Sequence, residues 1–452
     1  MKSIKRKYDA LIIGFGKGGK TLAAYLANKG WQVALVEQSA LMYGGTCINI
    51  ACIPTKFLVH SAETHVPYAL AIDEKNQLTA NLRQRNYDSV DESPNAMVIT
   101  GKATFISPHL LSIRLNDTGE EVLIEAERIM INTGATGCIP PIPGIHSSRR
   151  VFTSTTLIEQ TELPQKLVII GGGYIALEFA NMYAQFGSNI TLIDKSPFFL
   201  PGEDRDVADV IQSILSDKGI RIEMGVTIEA IETDDPRHDV VVFRNHAGEI
   251  EEVKASAILV AVGRQPYTEG LNLSAAGVEQ DAKGFIRVNE RLQTNVPHIW
   301  AIGDVNGGPQ FTYISLDDFR IIRSQFFGFG EHTLLDRKNI PSSLFISPPL
   351  SHVGLREHEA LRQGYRIRVA TLPAAVNMRA QIIKQTEGLL KAIVDADTNQ
   401  ILGCTLLCAH SSELINLVQV AMNAKLDFTV LRDTIYTHPT MSEALNDLFA
   451  KL

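Results

Sequence analysis

At 452 residues, 45% of them hydrophobic and 20% charged, the chain exceeds what one hydrophobic core organises, and a soft prior of ~150 residues per domain divides it into about three. A net charge of -8 without basic clusters along one face excludes the electrostatic footprint of a nucleic-acid binder. No run approaches the ~20 apolar residues of a membrane span, so small-molecule chemistry is the expected task.

The one basic run, KSIKRK at Lys2 to Lys7, precedes the apolar YDALIIGFG. It is not a signal peptide: the apolar stretch spans only about five residues, glycines follow at once, and no small-residue cleavage site closes it. The expected location is the cytoplasm. Thiols are kept reduced there, so a close cysteine pair is catalytic, redox-active or metal-binding rather than a static staple.

Residues 8 to 38 read as strand, turn, helix, strand. An apolar run, Ala10 to Ile13, enters Gly14-x-Gly16-x-x-Gly19; an alanine- and leucine-rich segment follows; Gly30 ends it, and Val33 to Val36 terminates in Glu37. The glycines provide a tight turn, a close backbone approach to a pyrophosphate on the helix N-terminus, and close helix–strand packing. Glu37 is placed to accept from a ribose hydroxyl. Residues 167 to 195 repeat the pattern: Gly171-x-Gly173-x-x-Ala176, a helix ended by Gly187, and a strand closed by Asp194. Alanine in the third position is an accepted variant. From first glycine to acid the spacing is 23 residues in both copies. One such motif is weak evidence; two in matching context predict two dinucleotides, one feeding electrons to the other. The acid at position 194 favours NADH, because a 2'-phosphate there meets negative charge, while Lys195 keeps NADPH open.

Between the two units lies GGTCINIACIPTK, Gly44 to Lys56, with Cys47 and Cys52. A metal clip, a staple and a redox pair are all consistent with the spacing, although a zinc site lacks its other ligands nearby. In an ideal helix five residues rise about 7.5 Å, beyond the ~7 Å Cα limit of an unstrained disulfide. A bridged pair therefore requires a distorted helix start, which Gly44, Gly45 and Pro54 permit. Of the other three cysteines, Cys404 and Cys408 in CTLLC fall about 13 Å apart on one strand face and read as buried small hydrophobes, and Cys138 reads as bystander packing. LLKAIVDADTNQILGCTLL, Leu389 to Leu407, reads as a hairpin, and SSELINLVQVAMNAK after it has helical spacing.

Together the twin fingerprints, the cysteine motif, INTGA at Ile131 to Ala135, AVGRQP at Ala261 to Pro266, IWAIGD at Ile299 to Asp304 and HPTMSE at His438 to Glu443 resemble the class I pyridine nucleotide-disulfide oxidoreductases, which include dihydrolipoamide dehydrogenase, glutathione reductase and mercuric reductase. IIGFGKGGKTLA, MYGGTCINIACIPTK and QFTYISLDD look most like the subgroup of reactive-chlorine-resistance flavoproteins described as copper(II) reductases. The resemblance implies an α/β chain with two Rossmann-like domains and an α+β dimerisation domain. FAD would occupy residues 1–150 and 266–336, NAD(P)H residues 151–265, and the homodimer contact residues 337–452. The proline-rich PPIPGIHSSRR, Pro140 to Arg150, marks the first seam independently.

The same resemblance implies the site. Cys47 and Cys52 would form a redox-active disulfide, Cys52 nearer the flavin and Cys47 facing the acceptor, with both sulfurs as transient ligands of a substrate metal. His438 would be the acid/base and Glu443 would orient its ring, the pair serving the cysteines of the other subunit. A cis peptide bond before Pro439 is expected. Lys56 and Glu178 would form an ion pair beside the flavin, and Tyr174 would shield the ring and swing aside for nicotinamide. Gly45, Thr46, Ala103, Thr133, Gly134, Gly303 and Asp304 would contact FAD, and Gly263 the nicotinamide nucleotide. Electrons would pass from NAD(P)H through FAD and the cysteines to an acceptor, with copper(II) preferred. The alternatives are a small-molecule disulfide reductase or dihydrolipoamide dehydrogenase, and a redox-sensing flavoprotein read by a partner.

Some positions depart from the family pattern. Ala51 replaces the usual glycine before the second cysteine, Tyr436 stands where many members have a further histidine, and Gln310 to Arg320 differs from the usual flavin-side segment. LNDLFAKL at the end has no cysteine pair and no metal-binding domain precedes the first fingerprint, so mercuric reductase and high-molecular-weight thioredoxin reductase activities are disfavoured.

Overall fold

A computed structural model describes residues 5–233 and 235–452; the start of the basic run, residues 2–4, lies outside them. Lys5–Ile13 is the hub of the first sheet, pairing in parallel with Val33–Glu37 on one side and Glu121–Ile131 on the other. Val33–Glu37 is buried along its whole length, as a strand covered on both faces must be. Ala96–Ser107 extends the parallel part, then leaves it to form an antiparallel meander with Leu110–Leu115 and Glu121–Ile131. Ile299–Ala301 completes the sheet beside Glu121–Ile131, so the chain leaves this unit and later returns to it.

The second unit has the same logic. Lys166–Ile170 runs parallel between Asn189–Asp194 and Ala257–Val260, with Arg221–Met224 and Val151–Phe152 at the edges and a three-stranded antiparallel sheet beyond. The first glycine of each fingerprint makes the same approach. A Cβ on Gly14 would stand 2.3 Å from the Asn132 carbonyl oxygen, and one on Gly171 would stand 2.4 Å from that of Ala261. Each carbonyl directly follows the neighbouring parallel strand, and only a residue without a side chain lets the helix start there. The two crossings between units, Ala135–Gly137 and Arg264–Pro266, pair with each other as short antiparallel strands.

The C-terminal unit is an antiparallel five-stranded sheet in the order Ser342–Leu344, Leu350–Gly354, Ile401–Leu407, Leu389–Asp395, Ile367–Pro373. The expected hairpin is Leu389–Asp395 with Ile401–Leu407, and the helix-spaced segment is helix Ser411–Asn423. One expectation needs correction: the strand ends at Leu407, so Cys408 lies just beyond it rather than on the strand with Cys404. Both are fully buried in the core of this unit. Burial pushes the Cys408 thiol up to about 12 and that of Cys404 still higher, so neither is a nucleophile. Among the described residues no helix is long and apolar enough to cross a membrane.

Candidate functional site

A cavity of about 1210 Å³ runs from the first fingerprint to the cysteine motif and on to the C-terminal unit. At one end Glu37 accepts from the backbone N–H groups of Phe15, at 3.0 Å, and Ser39, at 3.1 Å. Burial pushes its carboxyl up to about 7. Gly14, Gly16, Ala103, Thr133 and Gly134 line the middle. Gly19 sits behind the wall, its N–H donating to Asn132 Oδ1 at 3.0 Å, while Asn132 Nδ2 donates to the Ile302 carbonyl at 2.8 Å. Asn132 thus ties the first helix, the strand Glu121–Ile131 and the returning chain together. Sequence reasoning missed this role, although a buried asparagine directly after an apolar strand was its available signal. At the far end Asp304 lines the cavity, with Arg264 Nη2 3.8 Å from its Oδ2.

These residues fit a dinucleotide such as FAD. Gly45 has φ +76°, and a Cβ there would lie 2.6 Å from Gly16 Cα, so the cysteine segment presses backbone-to-backbone onto the fingerprint. Thr133 Oγ1 is buried without a protein partner in the cavity wall. Such an orphaned hydroxyl calls for a polar ligand group. Thr46 also lines the cavity.

The cysteines lie on a broken helix. Thr46–Asn49 makes one turn, Ala51 leaves helical geometry at φ -137° and ψ -104°, and helix Cys52–Glu63 begins at the second cysteine. The expected distortion is therefore a full break, centred on the residue that departs from the usual glycine. Both thiols are free. They are not equivalent. The neighbouring Cys47 thiol pulls the Cys52 thiol down, helped by Thr312, 3.5 Å from its Sγ, and by the charge of Lys56. Cys52 beside it, together with burial, pushes Cys47 up. Cys52, first residue of its helix, is the thiol whose surroundings favour the thiolate. Thr312 comes from the Gln310 to Arg320 segment, whose unusual sequence hid this contact.

The thiolate has a measurable consequence. Thiolate absorbance of the reduced protein should persist well below the ~8.5 of an ordinary thiol and be lost only as pH falls through the depressed value of Cys52. Cys47→Ala, which removes the main cause, should return that protonation toward the ordinary range; an unchanged titration would refute the neighbouring thiol as its origin.

Four residues after Cys52, and so on the same helix face, Lys56 places Nζ 2.7 Å from Glu178 Oε2 and 4.9 Å from the centre of the Phe345 ring. Glu178 Oε1 accepts from the Phe345 N–H at 3.0 Å. Tyr174, four residues before Glu178 on helix Tyr174–Phe186, lines the same cavity. The other second-fingerprint residues, Gly171, Gly173, Ala176 and Asp194, together with Gly263, lie outside it. A Cβ on Gly173 or Gly263 would meet open space, and Asp194 Oδ1 accepts from the Ser196 N–H at 2.6 Å.

His438 Nδ1 lies 2.8 Å from Glu443 Oε1, and Glu443 Oε2 accepts from the Thr440 N–H at 2.9 Å. The backbone bond and then the histidine hold the Glu443 carboxyl below its usual range. The His438–Pro439 bond is cis, as expected. Within one chain this pair stays apart from the cysteines: the His438 side chain is 68% exposed and outside their cavity. Among the described residues no cluster of three or more His, Cys, Asp or Glu side chains is arranged to hold a metal ion.

Residues 8–318 match the family model for pyridine nucleotide-disulphide oxidoreductases and residues 340–449 match that for their dimerisation domain. The probable pyridine nucleotide-disulfide oxidoreductase RclA of Escherichia coli is 49% identical over 98% of this chain and 99% of its own. The mercuric reductase of Staphylococcus aureus is 32% identical over 97% of this chain and 81% of its own. The solved copper(II) complex of the HOCl-induced flavoprotein disulfide reductase RclA from Escherichia coli superposes with a TM-score of 0.95, at 48% identity, over 99% of this chain and 100% of the other. Twin fingerprints, a thiol pair at the head of a helix and these matches lead to one assignment: the chain belongs to the pyridine nucleotide-disulphide oxidoreductase family, enzymes that work with FAD and NAD(P)H.

Proposed function

We propose that this enzyme uses Cys47 and Cys52 as a dithiol/disulfide relay that delivers electrons from NAD(P)H to an acceptor, and that the preferred acceptor is copper(II). The observation that carries the reading is the placing of the two thiols inside the cavity, with Cys52 opening helix Cys52–Glu63 and Thr312 3.5 Å from its Sγ; these surroundings pull the Cys52 thiol down while Cys47 is pushed up. Bound FAD and NAD(P)H supply the two-electron chemistry. The protein's own groups do the rest. Gly14, Gly16, Gly45, Thr46, Ala103, Thr133, Gly134, Gly303 and Asp304 hold FAD, with Glu37 toward its ribose. Gly171, Gly173, Ala176, Asp194 and Gly263 hold the nicotinamide nucleotide, with NADH favoured by the Asp194 charge. Lys56, fixed by Glu178, supplies positive charge beside the thiolate, and Tyr174 is the ring that nicotinamide must displace.

The 68% exposure of His438 supports a homodimer in which His438 of the partner subunit moves the proton at Cys47, its ring oriented through Nδ1 by the carboxylate 2.8 Å away. Copper(II) suits the relay chemically. The Cys52 thiolate and the Cys47 thiol closing to a disulfide release two electrons and one proton, reducing two copper(II) ions to copper(I), the soft state that thiolates stabilise. The copper(II) complex of the solved relative supports the same acceptor. The experiment is steady-state oxidation of NADH, and in parallel NADPH, with copper(II), mercury(II), lipoamide and glutathione disulfide. Fastest turnover with copper(II) and NADH is expected. Lipoamide turned over far faster than any metal ion would replace the reading with a disulfide reductase, and turnover of nothing without a partner protein would replace it with a sensor.

A further inference from the structure

Tyr174 is the first residue of helix Tyr174–Phe186, directly after Gly173. Tyr174 lines the FAD-fitting cavity, while Gly171 and Gly173 lie outside it, so this residue stands at the border between that cavity and the second fingerprint. Its hydroxyl does not face solvent; it donates to Glu203 Oε1. Glu203 is 4% exposed, and Arg356 grips both its oxygens, Nε to Oε2 at 3.0 Å and Nη2 to Oε1 at 2.6 Å. A two-point guanidinium–carboxylate fork fixes orientation as well as position. Burial alone would push the Glu203 carboxyl up; the guanidinium and the tyrosine hydroxyl outweigh it and hold the group below the usual carboxylate range.

Arg356 belongs to another part of the chain. It precedes helix Glu357–Arg362 of the C-terminal unit, and its backbone N–H donates to Glu359 Oε2 at 2.9 Å. Next to Glu203, Asp204 is tied to the same unit by Lys391 Nζ at 3.2 Å and the Glu357 N–H at 3.3 Å. The anchor of the tyrosine hydroxyl is therefore the seam between the second nucleotide unit and the C-terminal unit.

We propose that Glu203 and Arg356 are positioning residues that latch the Tyr174 ring across the passage between the two nucleotide sites, so that admission of nicotinamide is set by a contact with the C-terminal unit. The inference rests on the reading above that nicotinamide must displace Tyr174. A nucleotide that binds only with the ring displaced binds more weakly by the fraction of time the ring is out, so loosening the latch tightens binding. Calorimetric titration of the oxidised holoenzyme with NAD+ reads this without turnover. Glu203→Gln, Arg356→Gln and Tyr174→Phe, which deletes only the hydroxyl, should each tighten NAD+ by about fivefold, and lower the KM for NADH to match. The Tyr174→Phe/Glu203→Gln double variant should be no tighter than either single one, because both break one contact.

Tyr174→Ala separates the two ideas. If it tightens NAD+ while Tyr174→Phe and Glu203→Gln match the parent protein, the latch is overturned and the displaced ring stands. If Tyr174→Ala also matches the parent, the ring is no barrier and both ideas fall. Additive tightening in the double variant would likewise overturn the latch. Should either charge variant fail to fold, Tyr174→Phe decides alone.

Discussion

Cys52→Ser will abolish acceptor reduction, by about 10³-fold or more, and leave FAD bound. The thiolate sits at the head of its helix, with Thr312 on one side and the Lys56 charge near it. Serine keeps the hydrogen bonds but is not a thiolate at neutral pH and cannot close a disulfide. Cys47→Ser should be as severe in acceptor turnover for the second reason alone. The cavity walls that fit FAD also include Gly14, Gly16, Thr133 and Asp304, which a cysteine-to-serine change leaves in place, so the visible flavin spectrum should survive in both variants. The check is NADH-dependent reduction of copper(II) and of a small disulfide beside the flavin content per chain. Protein that loses its flavin would make the cysteines structural, and preserved turnover would remove them from the relay.

Gly45→Ala should produce the opposite pattern, a folded chain that is purified with little or no flavin. At φ +76° a side chain is strained by ~1–2 kcal/mol wherever it points. Here the added Cβ also meets backbone, Gly16 Cα at 2.6 Å, and neither partner can rotate away. Relief requires the cysteine segment to lift off the fingerprint, which opens the floor of the cavity. Gly30→Ala is the matched control: its φ is +87°, yet nothing lies within 4 Å of the added Cβ. It should cost only the ~1–2 kcal/mol of strain, read as a small fall in unfolding midpoint with flavin content unchanged. Equal flavin loss in both variants would mean that backbone strain, not the contact with Gly16, governs binding.

The elements that local chemistry dictates were readable residue by residue. An apolar run ending in Gly14-x-Gly16-x-x-Gly19 has few alternatives to strand, tight turn and helix, and the same grammar repeated at Gly171 made the second unit visible. The hairpin at Leu389–Leu407 and the helix at Ser411–Asn423 followed from period alone. Even the break between Cys47 and Cys52 was foreshadowed, because helix rise and disulfide span are incompatible, although its full extent at Ala51 was not. Cys408 was misplaced because a strand's end is set by its partners, and those stop at Leu407.

The site divides along the same line. His438 with Glu443 was legible through the HPTMSE motif, because a spacing of five brings the two side chains together locally. Asn132, Thr312, Glu203 and Arg356 were not, since each acts through a partner far away in sequence: Thr312 lies 260 residues from Cys52. What the sequence by itself determined is the two nucleotide units, the thiol pair and the family chemistry, all consequences of short-range backbone and side-chain patterns. What only the tertiary structure decided is that Thr312 stands beside Cys52, that His438 lies outside the cysteine cavity within one chain, and what grips Tyr174. Those depend on charge, burial and hydrogen bonds between segments that nothing but the packed fold brings together.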